Sequence, residues 1–327
     1  MAITRQELLV GGAAIVAGAS VTTPFFRPRY RIKRCPARSR VAILHVEDYS
    51  RPIDELLFSG LRLFCINVQG KTVLLKPNLV DYIPGTALNT HHQLVVAAAE
   101  AFRHLGARNV VVGEGPGHQR DTQLVLSDSG YEGELKLHKI PFVDLNRDEL
   151  TRTRLAASYT DLQYLWLPRT IFQADFIVSM PKVKTHHWSG VTLSMKNMFG
   201  VVPGNKYGWP KNILHWSGIQ HSILDVCATV PIHFVIADAV MAMEGNGPLN
   251  GSPRPLCTVV LADDPVAADA TCARVMGFEP DRIAHIHEAS HFLGNSSPAL
   301  IDQAAEALRV PEVPFQVVPE FRHICAI

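Results

Sequence analysis

The stretch Asp175–Gly200, DFIVSMPKVKTHHWSGVTLSMKNMFG, carries the strongest prediction of fold and function. Its apolar run Phe176–Met180 has the length and β-branched content of a buried strand, and it stops at Pro181. Several basic side chains follow, namely Lys182, Lys184, His186, His187 and, further on, Lys196. Because lysine is costly to bury without an opposite charge, this clustering predicts an anion-binding site at the end of a strand.

Similar apolar runs recur along the chain and alternate with longer helix-like spans. The predicted strands are Arg40–Val46, Thr72–Leu75, Asn109–Val112, Phe176–Met180, His233–Ala237 and Thr258–Ala262. Helices are predicted over Leu94–Leu105, which Gly106 closes, and over Pro265–Met276, for which Asp264 is the expected N-cap. This pattern predicts a single α/β domain with a mostly parallel sheet and helices on both faces.

The ends of the chain read differently from this domain, and we divide the sequence into residues 1–39, 40–311 and 312–327. Leu8–Phe26 contains no charged residue and resembles a twin-arginine export leader, with Gln6 where the second arginine would stand. The basic run Arg27–Arg40 favours retention on the cytoplasmic side, as for an uncleaved anchor. We therefore expect membrane association through residues 8–26 and an exported or membrane-anchored protein, with a cytoplasmic protein as the alternative. Residues 312–327 are predicted to be a tail or an edge strand.

Composition excludes some classes of function. The 327 residues are 47% hydrophobic and carry a net charge of +1, which gives no reason to expect binding to nucleic acid. The six cysteines are scattered and form no CxxC pair, so the sequence has no iron–sulfur motif.

Charged or glycine-rich segments follow five of the predicted strands, at the edge where parallel sheets bind ligands. We assign catalytic roles to Lys182, Lys184 and His186. The candidate substrate-binding residues are Lys76, Asn78, Lys196, Asn197 and His215. The lysines would hold a small anionic ligand as point charges, and one of them could act instead as a base or a Schiff-base nucleophile.

Four carboxylates, Asp238, Glu244, Asp264 and Asp269, could hold a divalent cation such as magnesium. The same carboxylates could instead neutralise the lysines in a structural ion-pair network. The sequence therefore does not identify a cofactor, and a divalent metal is one candidate.

Seven blocks of sequence together resemble the domain-of-unknown-function family 362. They are KPNLV (76–80), THH (90–92), GEGPG (113–117), PKVKTH (181–186), TLSMKNMFGVVPG (192–204), DAVMAMEGNGPLNG (238–251) and DDPVAADA (263–270). By this resemblance the assigned site residues, other than His215, match motif positions of the family. Some relatives carry ferredoxin-type cysteine clusters, which this chain lacks.

Three classes of function stay open. The first is an enzyme that acts on a small anionic substrate, with a lysine or His186 moving a proton. The second is a redox or metal-cofactor-linked protein, for which the lysine and histidine array is similar, by analogy, to nickel-pincer lactate racemases. The third is a non-catalytic protein that binds an anionic metabolite.

Overall fold

The structure is a computed structural model that describes residues 35–50, 53–117 and 121–326. The predicted leader and most of the basic run after it lie outside the described residues. Among the residues that are described, none of the helices combines the length and the apolar character that crossing a bilayer requires.

The described residues form one large mixed sheet and a separate two-stranded hairpin. The strands are β1 (Ser39–His45), β2 (Thr72–Pro77), β3 (Asn109–Glu114), β4 (Phe142–Asp144), β5 (Leu150–Arg154), β6 (Tyr164–Pro168), β7 (Phe176–Met180), β8 (Lys182–His186), β9 (Gly190–Thr192), β10 (Phe234–Asn246), β11 (Asn250–Ala262) and β12 (Ile301–Ala305). The main path through the sheet is β12-β1-β11-β10-β7-β2-β3-β4, while β8 pairs with β10 and β9, and β5 pairs with β6.

Most pairs in the large sheet are parallel. The strands β4, β3, β2, β7 and β10 run parallel to one another in that order, and β8 runs parallel to β10. The antiparallel members are β11, between β10 and β1, and β9, beside β8. Because β2, β3 and β7 are parallel, their carboxyl ends meet at one edge of the sheet, where ligands bind in open α/β sheets.

Helices cover both faces of this sheet. The helices are α1 (Ile53–Leu61), α2 (His92–His104), α3 (Thr122–Asp128), α4 (Tyr131–Leu137), α5 (Arg169–Gln173), α6 (Ser194–Asn197), α7 (Gly204–Tyr207), α8 (Asn212–Trp216), α9 (Ile219–Thr229), α10 (Pro265–Val275) and α11 (Ala284–Ala289). Short 3-10 turns occupy Met198–Val201, Pro280–Arg282, Pro298–Leu300 and Pro319–Ile324.

The period-two alternation of β1 shows how the two faces are filled. Val41 and Ile43 point into one core with α9 and α10, whereas Ala42 and Leu44 point into the other core with α1 and α2. Strands that are buried on both faces read as continuous apolar runs, which is why the sequence revealed them. The predicted α/β class and the mostly parallel sheet with helices on both faces are confirmed.

The structure contains a strand after Pro181 that the sequence analysis did not predict. Beyond this proline the chain enters a further strand, β8, which carries Lys182, Lys184 and His186. All five residues of β8 are buried, although three of them are basic. These three basic side chains are thus held on a strand.

The C-terminal segment packs against the domain. Phe315 and Ile324 are each 1% exposed and belong to one of the two cores. The backbone also bridges Gly245 to Val317 and Phe278 to Cys325. The domain boundaries at residues 40 and 312 stay predictions.

Candidate active site

A cavity of about 160 Å³ lies at the carboxyl ends of β2, β3 and β8. Residues that follow these strands form one wall, including Asn78 after β2 and Gly115 after β3. His186 at the end of β8, Lys196 from α6 and His215 from α8 line the same cavity. The volume is below the several hundred Å³ of typical drug-sized pockets, so it suits a small molecule.

Three buried lysines, Lys184, Lys196 and Lys211, line this cavity. Lys184 Nζ donates to the Leu88 carbonyl oxygen at 2.6 Å, and Lys211 Nζ donates to Asn146 Oδ1. Lys196 Nζ lies 3.9 Å from the centroid of the Phe199 ring. Across the part of the chain that the structure describes, none of these three ammonium groups forms an ion pair with a carboxylate.

Burial without a counter-ion disfavours the charged form of these amines. Burial and the nearby Lys182 and Lys196 lower the pKa of Lys184 well below its ordinary value. Burial, followed by the charge of Lys76, lowers the pKa of Lys196 to about 7. Burial likewise lowers the pKa of Lys211 to about 7. An anion in the cavity would reverse this effect, because an opposite charge nearby favours the ammonium form.

Two cavity histidines are held as opposite tautomers. The backbone N–H of Trp188 donates to His186 Nδ1 at 3.0 Å, so this nitrogen is unprotonated and the neutral ring carries its proton on Nε2. His215 Nδ1 lies 3.2 Å from the Lys211 carbonyl oxygen, which can only accept. His215 therefore carries its proton on Nδ1 and leaves Nε2 as a bare acceptor.

Both rings are neutral at physiological pH. Burial, followed by the charge of Lys196, lowers the pKa of His186 well below its ordinary value. Burial and Lys196 also lower the pKa of His215 to about 4. The cavity thus offers a hydrogen-bond donor on His186 and a base on His215, together with three amines.

Two buried polar atoms of the cavity wall have no hydrogen-bond partner within the described residues. They are Asn78 Oδ1 and Thr192 Oγ1, and their residues are 8% and 4% exposed. Buried polar atoms in proteins are nearly always satisfied, and each exception calls for an explanation such as a ligand. The amide oxygen of Asn78 accepts, so it fits a hydroxyl or amine hydrogen of a bound molecule.

A buried ion pair forms the floor beside the cavity. Lys76 Nζ lies 2.5 Å from Glu114 Oε2 and 3.0 Å from Asn197 Oδ1. Glu114 also accepts from the backbone N–H groups of Leu79 and Gly115. A Cβ at Gly200 would overlap the Glu114 carboxylate and the Lys76 ammonium, so glycine is required for this close approach.

Aromatic rings surround the mouth. The Trp188 ring is centred 5.0 Å from His215 and 4.7 Å from His187, and the residue is 52% exposed. A shallower outer hollow shares Trp188, Pro210 and His215 with the cavity and extends to Trp216.

The four carboxylates proposed as metal ligands do not come together. Asp238 pairs with Lys182 at 2.7 Å, and Glu244 pairs with Arg254 at 2.7 Å. Asp264 accepts from Val266 N and Ala267 N as the predicted N-cap of α10.

The fourth carboxylate, Asp269, accepts from the backbone N–H groups of Ser194 and Met195 at 2.7 and 3.1 Å. Within residues 35–50, 53–117 and 121–326, no three His, Cys, Asp or Glu side chains are placed so that they could hold a metal ion. In this structure each of the four carboxylates has its own partners within the chain.

The structure sorts the residues that were singled out from the sequence into three groups. The cavity is lined by Asn78, Lys184, His186, Lys196, Asn197 and His215. Lys76 and Lys182 lie nearby in the buried ion pairs with Glu114 and Asp238. Glu244, Asp264 and Asp269 have the separate partners given above.

Sequence reasoning did not assign roles to Lys211, Thr192, Trp188 or Glu114. Glu114 belongs to the GEGPG block and stands directly at the end of β3, and that position was a usable signal. Lys211 follows no strand, so its sequence neighbourhood gave no such signal.

Comparisons with known proteins identify relatives of low similarity. The chain is 28% identical over 223 residues to the thylakoid-associated protein sll1697 of Synechocystis sp.. The alignment covers 65% of this chain, and the chain spans about 65% of the length of that curated relative.

Two solved structures have a distant likeness to the fold. The lactate racemase apoprotein from Thermoanaerobacterium thermosaccharolyticum matches with a TM-score of 0.39 and 12% identity, over 62% of this chain and 51% of that one. A Thermotoga maritima protein matches with a TM-score of 0.33 and 13% identity, over 66% and 56% of the two chains. Both TM-scores lie below 0.5, so neither likeness bears on the function of this chain.

The chain also matches the model of a protein family. Residues 73–274, more than half of the chain, match the model of the domain of unknown function DUF362. This span contains every residue found on the cavity wall or in its neighbouring ion pairs. The resemblance predicted from the seven sequence blocks is confirmed, and the chain belongs to the DUF362 family.

Proposed function

We propose that this protein is an enzyme that binds a small organic carboxylate in the cavity and moves a proton on it. The observation that carries the proposal is the meeting of Lys184, Lys196 and Lys211 at one cavity without a carboxylate partner among the described residues. Burying an ammonium group without a counter-charge costs on the order of several kcal/mol. A bound anion would remove that cost for more than one lysine at once.

The other wall groups favour a carboxylate with a second polar substituent. Asn78 Oδ1 requires a hydrogen-bond donor, and Thr192 Oγ1 can either donate or accept. A small acid with a hydroxyl or amino group beside its carboxylate would satisfy both kinds of group, whereas a carbonyl oxygen would accept from Thr192 alone until it is converted to a hydroxyl. The cavity volume of about 160 Å³ favours such a compact molecule.

The histidine tautomers supply the proposed chemistry. The bare Nε2 of His215 would take a proton from a carbon next to the carboxylate or to the carbonyl group of the substrate, because it is the basic nitrogen of a neutral ring. The Nε2–H of His186 would donate a hydrogen bond to the oxygen on which negative charge develops. The lysines would hold the carboxylate while this charge forms.

The test combines binding with proton exchange. Calorimetric titration with lactate and pyruvate should show binding to the purified protein, and Lys184→Met and Lys211→Met should each weaken it at least about tenfold, a typical effect of one lost charge-assisted contact. Lys136→Met is the matched control, because the Lys136 side chain is 75% exposed and does not line the cavity. Equal affinities for wild type and the two cavity variants would refute the proposed site.

Turnover is followed by the loss of C–H signals from the bound acid in D₂O by proton NMR. His215→Gln should abolish exchange and retain binding. Binding without any exchange in the wild type would favour a non-catalytic binding protein. The redox or metal-cofactor-linked alternative would be favoured by a stoichiometric transition metal or a visible chromophore in the purified protein.

We also propose that residues 8–26 associate the protein with a membrane, as a leader or an anchor. The support is the uncharged composition of this segment and the word thylakoid-associated in the name of the relative. Cell fractionation of the full chain and of a variant that lacks residues 1–26 tests it. Equal amounts of both forms in the membrane fraction would contradict the proposal.

A further inference from the structure

Lys196 differs from the other lysines around the cavity in the freedom of its amine. Lys76 Nζ is fixed by Glu114, Asn197 and a carbonyl, Lys184 Nζ by the Leu88 carbonyl, and Lys211 Nζ by Asn146. Lys196 Nζ makes no hydrogen bond to any residue that the structure describes, and it sits over the face of Phe199. Its amine is therefore available to a molecule in the cavity.

The backbone that carries Lys196 is, in contrast, held firmly. Asp269 accepts from the first two backbone N–H groups of α6, and Ser194 Oγ donates to the Pro265 carbonyl oxygen at 3.1 Å. The next residue, Asn197, donates from Nδ2 to the Lys76 carbonyl oxygen and to Ser179 Oγ. A fixed backbone with a free amine at the tip is the arrangement of a positioned nucleophile.

The chemical state of the amine agrees with this arrangement. A lysine acts as a nucleophile when it is unprotonated, and desolvation or a neighbouring cation activates it. Lys196 is buried and close to the charge of Lys76, which together lower its pKa to about 7. A substantial fraction of this amine is thus neutral at physiological pH, whereas an exposed lysine would be almost wholly protonated.

We propose that Lys196 is the nucleophile that forms a Schiff base with a small 2-oxo acid bound in the cavity. This inference rests on the proposed function, since the carboxylate of the same substrate would lie against Lys184 and Lys211. It narrows the substrate to acids that bear a carbonyl group beside the carboxylate. His186, through its Nε2–H, would donate a hydrogen bond to the carbonyl oxygen under attack.

The step balances without an added reagent. The Nζ lone pair forms a bond to the carbonyl carbon, and the C=O π electrons move to the oxygen to give a carbinolamine. Both protons of the amine pass in turn through His215 Nε2 to that oxygen, which leaves as water while the nitrogen lone pair forms the C=N bond. One amine and one carbonyl are consumed, and one imine and one water are produced.

Reductive trapping tests the proposal on the purified full chain. The protein is mixed with pyruvate and sodium borohydride, and the adduct is measured by intact mass and located by peptide mapping. We expect one covalent adduct per chain on Lys196. Lactate, which has no carbonyl, is the matched control ligand and should give none.

Lys196→Arg is the decisive variant, because it keeps a cation in the cavity but removes the amine nucleophile. This variant should lose the adduct, whereas Lys136→Arg, at an exposed lysine that does not line the cavity, should keep it. An adduct that persists in Lys196→Arg, or that maps to Lys184 or Lys211, would overturn the inference.

The two proposals fail in different ways. Pyruvate that binds calorimetrically and gives no adduct refutes the Schiff base and leaves the carboxylate site standing. Failure of both lactate and pyruvate to bind refutes the carboxylate site and the Schiff base together.

Discussion

Lys182 and Lys184 lie two residues apart on β8, and both are buried, yet their surroundings differ in one respect. Lys182 Nζ contacts Asp238 at 2.7 Å, Tyr49 Oη at 3.0 Å and the Met241 carbonyl oxygen at 3.0 Å. Lys184 Nζ contacts the Leu88 carbonyl oxygen and has no carboxylate partner among the described residues. The first lysine has a complete shell of partners, whereas the second faces a cavity.

The comparison separates structural lysines from lysines that await a ligand. Asp238 ties Lys182 to Tyr49 and to the backbone N–H of His91, so this pair joins three parts of the chain. Lys184 does not connect several parts of the chain in this way. A buried amine without a counter-charge lowers the stability of the protein when no ligand is bound. A protein keeps such a group when a function requires it, which supports the proposed carboxylate site.

The largest expected effect is on the free energy of unfolding when Lys182, the lysine paired with a carboxylate, is replaced. Lys182→Met should lower the free energy of unfolding by about 3–5 kcal/mol, because it leaves the Asp238 carboxylate buried and unpaired. Urea titration followed by circular dichroism measures the change. Asp302→Asn is the control, since Asp302 pairs with Arg38 at the surface and should cost less than about 1 kcal/mol. A similar small cost for both variants would erase the distinction between the two lysines.

The second prediction concerns how the free energy of unfolding depends on pH through Lys211, a lysine without a carboxylate partner among the described residues. Between pH 8 and 9.5 the folded state has released the Lys211 proton, whose pKa is about 7, but the unfolded chain still holds it. The unfolded state therefore binds more protons, and this lysine makes stability rise with pH by about 1.4 kcal/mol per pH unit. Lys211→Met should reduce the measured slope by that amount. An unchanged slope would show that Lys211 is not held at a lowered pKa.

A third prediction concerns the pH dependence of ligand binding. Below pH 7, Lys211 is already protonated in the free protein, so its contribution to lactate affinity should be constant. Above pH 7 the amine must take up a proton on binding, and affinity should fall by up to about tenfold per pH unit for each such lysine. Lys211→Arg, which stays charged, should remove the part of this dependence that Lys211 contributes. Calorimetric titrations between pH 6 and 9 decide the matter.

The smallest expected effect is on the stability of the Lys184→Met variant. Methionine nearly conserves the side-chain volume and removes a desolvated amine, but it leaves the Leu88 carbonyl oxygen without its donor. These terms oppose each other, so the free energy of unfolding should change by less than about 1 kcal/mol. The same variant should lose carboxylate binding. A loss of several kcal/mol in urea titration would make Lys184 a structural residue like Lys182.

The sequence predicted the sheet well because its strands are buried on both faces. The runs at β1, β2, β3 and β7 are nearly continuous in apolar residues, which is the pattern of covered parallel strands. Strand β8 lacks that pattern, since Lys182, Lys184 and His186 alternate with Val183 and Thr185. It pairs with β10 on one side and β9 on the other, and this tertiary placement is not encoded in its own pattern of residues.

The candidate site was predictable in part for a related reason. Lys184 and His186 stand close after an apolar run, so position along the chain indicated their position in the fold. Lys211 reaches the same cavity from a helix start with a positive φ of 72°, which no local pattern of apolar residues encodes.

Apart from the N-cap role of Asp264, the partners of the four carboxylates proposed as metal ligands could not be predicted from the sequence. Asp264 and Asp269 follow β11, as the sequence suggested, but Asp238 and Glu244 lie within β10, which continues past the predicted strand end at Ala237. The pairing of β10 with β11, however, brings Arg254 to Glu244, and the start of α10 captures Asp264. Such partners depend on strand register and capping geometry, which carboxylate positions alone do not specify.

The aromatic mouth gives the protein its own optical reporter. Of its four tryptophans, Trp188 lines the cavity, Trp209 lies 5.1 Å from the Lys211 amine, and Trp216 lines the outer hollow. Indole emission responds to nearby charge and to solvent, and both change when an anion displaces water among these lysines. Occupancy of the cavity should therefore be readable from intrinsic fluorescence, so that a library of metabolites can be screened against the unlabelled native chain.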